Sequence, residues 1–227
     1  MAHWEHRPES SWPNFRFNQP YAKGLDRLRH EVLAKTDFDP ATLWQWGTMQ
    51  AMAIIEILKT CERIFGREGQ EAVYQALHKI GLDVGRQILE GSEKPPEMSE
   101  AEFISYYASV INRIAYASLE APKIDNEQQV SFDILWCPHQ DHYKAFDCRV
   151  QRYFVEGMIE AMRERFPGCE FDVRFDSTIP AGAETCHFTL WRRDPEAKDS
   201  AAWTDYTAFI DAKALEIAAR DRATETP

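Results

Sequence analysis

Residues 149–192 read RVQRYFVEGMIEAMRERFPGCEFDVRFDSTIPAGAETCHFTLWR, and this stretch decides the fold. From Arg149 to Phe166, Val155, Met158, Ile159, Met162 and Phe166 recur at helical spacing, which predicts an amphipathic helix. Pro167-Gly168 is a turn. Cys169, Phe171, Val173 and Phe175 then alternate with Glu170, Asp172 and Arg174, the period-two pattern of a half-buried strand. A loop from Ile179 to Glu184, with Pro180 and Gly182, leads to a further strand over Cys186 to Arg192. Strands joined this closely pair antiparallel, and the preceding helix packs on their sheet. The expected fold class is α+β: an N-terminal helical layer followed by a small antiparallel sheet with packed helices.

Upstream, Val130, Phe132, Ile134 and Trp136 alternate with Ser131 and Asp133, Leu135 interrupting the polar face, and predict another strand. Before it the period is helical. Tyr21 to Lys35 reads as a first helix. Asp39-Pro40 caps and opens a long one, with Met49, Ala53, Ile57, Cys61 and Ile64 at helical spacing and Gly66 at its end. Val73, Leu77, Ile80, Val84 and Ile88 mark the next, closed by Gly91. Ser99 with Glu102 forms a capping box for a helix carrying Phe103, Tyr107, Val110, Ile111 and Ile114, and Pro122 ends the helical half. A last helix runs from Ala201 to Arg220. Residues 1–19, with Trp4, Trp12, Phe15 and Phe17, read as an extended aromatic arm. Residues 20–227 read as one domain: a helical half over 20–122, an α/β half over 130–192 and the C-terminal helix.

The 227 residues carry a net charge of -11, with Lys and Arg scattered among carboxylates. A nucleic-acid binder needs a basic footprint, and none is visible; an anionic membrane is disfavoured on the same ground. No secretory leader is evident, and the most apolar stretch, Met49 to Leu58, is too short to span a bilayer. The expected setting is cytoplasmic. Five cysteines, an odd number, argue for thiols and against a disulfide framework. Cys61 and Cys169 fall in register with apolar neighbours and are expected in the core.

Reactive residues concentrate at Cys137-Pro138-His139-Gln140-Asp141-His142, just after the first predicted strand. A cysteine nucleophile needs its thiolate stabilised, and His139 or His142 can move protons for Cys137. The second candidate segment is Asp176 to His187, with Cys186 as the other thiol. Asp141, Asp176, Glu184 and His187 are the candidates for orienting a base or holding substrate. Cys137, His139, His142 and Cys148 together also suit zinc, without a CxxC or HExxH pairing.

At these residues the chain resembles the L-2-amino-thiazoline-4-carboxylic acid hydrolase-like family. The strand ending in Cys137-Pro138, the helix from Arg149, the strand Glu170 to Phe175 and the segment Gly182 to Phe188 follow in that family's order. The resemblance implies a cofactor-independent hydrolase that opens a small cyclic amidine-like ring, with Cys137 and Cys186 at the family's cysteine positions. The family often carries a further Cys and an acidic residue where this chain reads Val155-Glu156-Gly157-Met158. The arrangement also looks like the 4-vinyl reductase-type domains, which bind small molecules or metal without necessarily catalysing anything. The expected partners are a small-molecule substrate and, given the aromatic arm, a second copy in a homodimer.

Overall fold

The computed structural model describes residues 21–90, 96–116, 118–144, 147–193 and 202–225. The chain opens with α1 (Tyr21–Arg27), which runs into a π-helical turn at Leu28–Val32. Then follow α2 (Ala41–Phe65), α3 (Arg67–Glu90), α4 (Glu100–Tyr116), β1 (Leu119–Asn126), β2 (Gln129–Trp136), α5 (Arg149–Arg165), β3 (Phe171–Ser177), β4 (Cys186–Arg192) and α6 (Ala202–Glu225). The strands form one antiparallel sheet in the order β1-β2-β4-β3. This is the expected α+β fold. The aromatic arm and the Gly91 stop lie outside the described residues.

Local signals act where they were read. Asp39 Oδ1 accepts the Ala41 N–H at 2.9 Å, and Gly66 ends α2 at φ 62°. Ser99 and Glu102 exchange both bonds of the capping box, at 2.8 and 3.2 Å.

Two expectations are corrected. Pro122 does not end a helix; it lies inside β1, opposite Phe132. Strand β1 is an edge of the sheet, and an edge strand has no ladder bond on its outer side for a missing N–H to break. The face of α2 is also reversed. Ile55, Leu58 and Glu62 are buried, whereas Met49, Ile57 and Ile64 of the expected core stripe are more than half exposed and Cys61 is partly so. Glu62 is buried because Arg149 Nη2 reaches its Oε2 at 2.6 Å and Gln70 Nε2 donates to Oε1 at 2.7 Å.

Helix α5 sits centrally. Its Val155, Met158 and Met162 pack on the inner face of the sheet, with Phe132, Val173, Phe188 and Leu190. Its Val150 and Tyr153 join Ile55 and Leu58 of α2, Leu77 of α3, and Tyr143 in a second apolar cluster. Glycines let α3 and α5 touch backbone to backbone. A Cβ on Gly81 would lie 2.0 Å from the Phe154 carbonyl oxygen. The opposite face of the sheet is polar, so the helical half and the site-bearing half share one core.

Candidate functional site

The register of the sheet brings the two predicted cysteine segments together. Ile134 pairs with Cys186, so the end of β2 lies beside the start of β4. Cys137 and Cys186 line one enclosed cavity, and Cys148, just before α5, lines it too. Arg152 completes it, with its guanidinium carbon 3.7 Å from the centre of the Phe175 ring. The cavity holds about 30 Å³, room for water but not for a heterocycle.

Burial dominates the thiol chemistry. Desolvation pushes the Cys137 thiol up to about 11, against the opposing pull of the His139 and Gln140 backbone N–H groups. Cys148 is pushed up to about 12, chiefly by burial, with Arg152 opposing. Cys186 is also raised by burial, and the Ile179 N–H donates to its Sγ at 3.1 Å. At neutral pH all three are thiols. The Ile179 N–H nonetheless points at the Cys186 sulfur, the arrangement a thiolate would use.

The histidines do not reach these thiols. After Pro138 the chain turns, with the Gln140 N–H bonded to the Cys137 carbonyl at 3.1 Å. That turn places His139 against Tyr143, rings 5.0 Å apart and nearly parallel, facing a different cavity. His142, Asp141 and Glu184 are exposed. Asp176 and His187 do come together, at 4.0 Å, but alternation puts them on the polar outer face while Cys186 points inward. There His187 Nδ1 lies 2.9 Å from Asp133 Oδ1, which also accepts from Thr185. The eight candidates are thus divided among the thiol cavity, a neighbouring groove, the outer sheet face and solvent. Among the described residues no three His, Cys, Asp or Glu side chains are grouped to hold a metal ion.

The neighbouring groove was not foreseen. It runs between α2, α3 and α5 beneath Pro138 and His139 and holds about 350 Å³. Its walls are largely apolar, including Trp44, Ile54 and Phe154, and carry no charged side chain apart from what His139 can acquire. Three buried polar atoms on these walls have no hydrogen-bond partner: Thr48 Oγ1, His139 Nδ1 and Gln151 Oε1. The Gln151 amide nitrogen is occupied, donating to the Tyr143 hydroxyl at 2.5 Å. His139 is 6% exposed, and burial, then His142, lowers its pKa below 6.5, so its ring is neutral at pH 7. Thr48 and Gln151 carried no motif; their spacing gives nothing to read without the tertiary fold.

Fold and site define a class: an α+β protein with helices backing one face of a four-stranded antiparallel sheet, and cavities at the junction of α5 with the loop after β2. Within it, the chain belongs to the family of an uncharacterized protein from Archaeoglobus fulgidus, to which it is 50% identical over 219 residues, 94% of this chain and 96% of that relative. No family model matches the chain. Among solved structures it is similar to a trafficking protein particle complex subunit 3 from Naegleria fowleri covalently bound to palmitic acid, at a TM-score of 0.42 and 11% identity, covering 65% of this chain and 95% of that one. No helix among the described residues is long and apolar enough to cross a membrane.

Proposed function

We propose that this chain is a cytoplasmic small-molecule-binding protein whose site is the groove between α2, α3 and α5. The observation that carries this reading is the trio of partnerless buried atoms, Thr48 Oγ1, His139 Nδ1 and Gln151 Oε1, on an apolar wall. A buried polar atom without a partner costs about 1–3 kcal/mol. A ligand that parts the wall to reach these atoms and supplies the missing bonds recovers that cost. An apolar cavity with a few convergent polar groups is the common form of a small-molecule site. The uncharged walls select a neutral ligand with an apolar body and a hydrogen-bonding head, such as an amide, urea or alcohol.

The test is a thermal-shift screen of neutral amides and alcohols with aromatic or alkyl bodies, such as phenylacetamide, indole-3-acetamide and decanol. A compound that raises Tm in the wild type, and much less in Thr48→Val and Gln151→Met, supports the reading. Equal shifts in the variants, or none in the wild type, reject it.

Thiol-dependent hydrolysis, the activity implied by the thiazoline-hydrolase resemblance, is the second reading. The Ile179 N–H directed at the Cys186 sulfur, in a cavity that Cys137 shares, favours it. In that scheme a ligand entering past Thr178 and Pro180 widens the thiol cavity; the Cys137 sulfur adds to an electrophilic ring carbon, a ring C–N or C–S bond breaks as the departing heteroatom takes the thiol proton, and water then hydrolyses the adduct and returns the thiol. Loss of turnover in Cys137→Ser would support it. Zinc at Cys137, His139, His142 and Cys148 is a separate proposal, in which a metal-activated water replaces the cysteine nucleophile, and elemental analysis of untagged protein decides it. A second copy of the chain is the proposed cover for the exposed apolar face of α2.

A further inference from the structure

The thiol cavity holds more sulfur than ring opening at Cys137 uses. Cys137, Cys148 and Cys186 line it together, from three separate places: the end of β2, the residue before α5 and the start of β4. Three thiols around one small enclosed space raise the question of what they do to one another.

The three are not equivalent. Arg152 follows Cys148 by one helical turn, with its N–H bonded to the Cys148 carbonyl at 3.4 Å, so the two share a side of α5. The guanidinium is buried in the cavity wall, and its charge acts on both Cys148 and Cys186, opposing the burial that keeps them protonated. Cys186 adds the Ile179 N–H on its sulfur. A charge on Cys186 acts on Cys148 more strongly than one on Cys137 does, so Cys186 is its closer electrostatic neighbour. Cys186 is therefore the thiol best equipped to carry a negative charge, and Cys148 is the thiol placed to answer it.

The cavity also selects by size. Its free space is about 30 Å³, and a water needs about 10–15 Å³ of such space. Hydrogen peroxide, two bonded oxygens, is of that size. Iodoacetamide and glutathione disulfide are far larger.

We propose that Cys148 and Cys186 form a peroxide-oxidised pair, in which hydrogen peroxide entering the thiol cavity converts Cys186 to a sulfenic acid and Cys148 closes a disulfide on it. Cys186 Sγ gives up its proton and attacks one peroxide oxygen. The S–O bond forms, the O–O bond breaks, and the departing hydroxide takes the proton and leaves as water. Cys148 Sγ then attacks the Cys186 sulfur. The S–S bond forms, the S–O bond breaks, and the hydroxyl leaves with the Cys148 proton as a second water. The two thiols lose two electrons to the peroxide. Arg152 and the Ile179 N–H hold the negative charge that develops on Cys186. Burial keeps thiolate scarce, so the first step is slow, and size decides which oxidant reaches the sulfur at all. The site is separate from the groove beneath His139, so its failure leaves that reading untouched.

The test treats the reduced full chain at about pH 8 with hydrogen peroxide, and in parallel with oxidised glutathione, then unfolds it and caps free thiols with N-ethylmaleimide. After peroxide the caps are expected to fall by two from the five of the untreated chain, and peptide mapping to join Cys148 to Cys186. Oxidised glutathione over the same time leaves all five. Cys148→Ser is expected to stop at one added oxygen on Cys186, trapped by dimedone on unfolding, and Cys186→Ser to form no bond. The wild-type map and the glutathione comparison decide the matter even where a variant does not fold. All five caps retained after peroxide, a linkage through Cys137 or between two chains, a bond that survives either serine variant, or glutathione acting as fast as peroxide would each overturn the proposal.

Discussion

Gly157 of α5 lies directly against His78 of α3: a Cβ added at Gly157 would stand 2.1 Å from the His78 carbonyl oxygen. This contact gives a physical reason for a glycine in the Val155-Glu156-Gly157-Met158 segment. No side chain fits at that crossing. The prediction is that Gly157→Ala costs about 3 kcal/mol, since the clash is with backbone that cannot rotate away. For a chain of this size that lowers Tm by about 6–12 °C. Gly24→Ala, with nothing within 4 Å of the added carbon, is the control and stabilises by about 0.5–1 kcal/mol. Thermal melts followed by circular dichroism compare the two.

His139 makes stability depend on pH. Its folded-state pKa is lowered from 6.5 by burial, with the charge of His142 adding to the effect. Below 6.5 the unfolded chain takes up a proton that the folded chain resists, so stability is full above pH 6.5 and falls as the pH drops towards the folded pKa. Tm measured downward from neutral pH, stopping above about pH 5 where carboxylates begin to titrate, is expected to decline. His139→Phe flattens that decline. A wild-type Tm that rises on acidification across this window contradicts the assignment.

The thiols are expected to be unreactive in the folded protein. With Cys137 near 11 and Cys148 near 12, almost no thiolate is present near neutral pH. Iodoacetamide at about pH 8 should modify these two residues some two orders of magnitude more slowly than free cysteine. Unfolding in urea removes the protection. Mass spectrometry of partially alkylated peptides reads each site separately. Fast native alkylation of Cys137 would restore the nucleophile reading to first place.

The uncovered face of α2 predicts self-association. Met49, Ile57, Ile64 and Phe65 are 58, 56, 54 and 63% exposed, more contiguous apolar surface than a solvated helix normally shows. Ile57→Glu places a charge in the middle of that face without touching the buried one. Light scattering should find a dimer for the wild type and a monomer for the variant. A monomeric wild type removes the dimer.

The α5–β3–β4 unit was legible because its patterns are unambiguous: one helical period, then two alternations separated by Pro180 and Gly182. The meeting of Cys137 and Cys186 stayed open, since the sequence pairs β3 with β4 but does not say that β2 flanks β4 on its other side. Strand β1 was not legible, because Pro122 reads as a stop unless the strand is known to be an edge. The buried face of α2 was hidden by Glu62, whose charge reads as solvated until Arg149, distant in sequence, is seen to neutralise it. The groove was invisible because Thr48, His139 and Gln151 come from three separate segments and share no motif. His139 was singled out, but for the wrong neighbour: the turn after Pro138 directs it away from the thiol.

If a neutral ligand completes the hydrogen bonding of the groove, the ¹⁵N resonance of His139 Nδ1 reports on that bond directly. The experiment titrates the neutral amide or alcohol with the largest thermal shift into histidine-labelled protein at neutral pH, with His139→Gln identifying the signal. A saturating shift of Nδ1 with the midpoint of the thermal-shift titration is expected, while the exposed His142 stays still. A Nδ1 signal unmoved at saturation would contradict it.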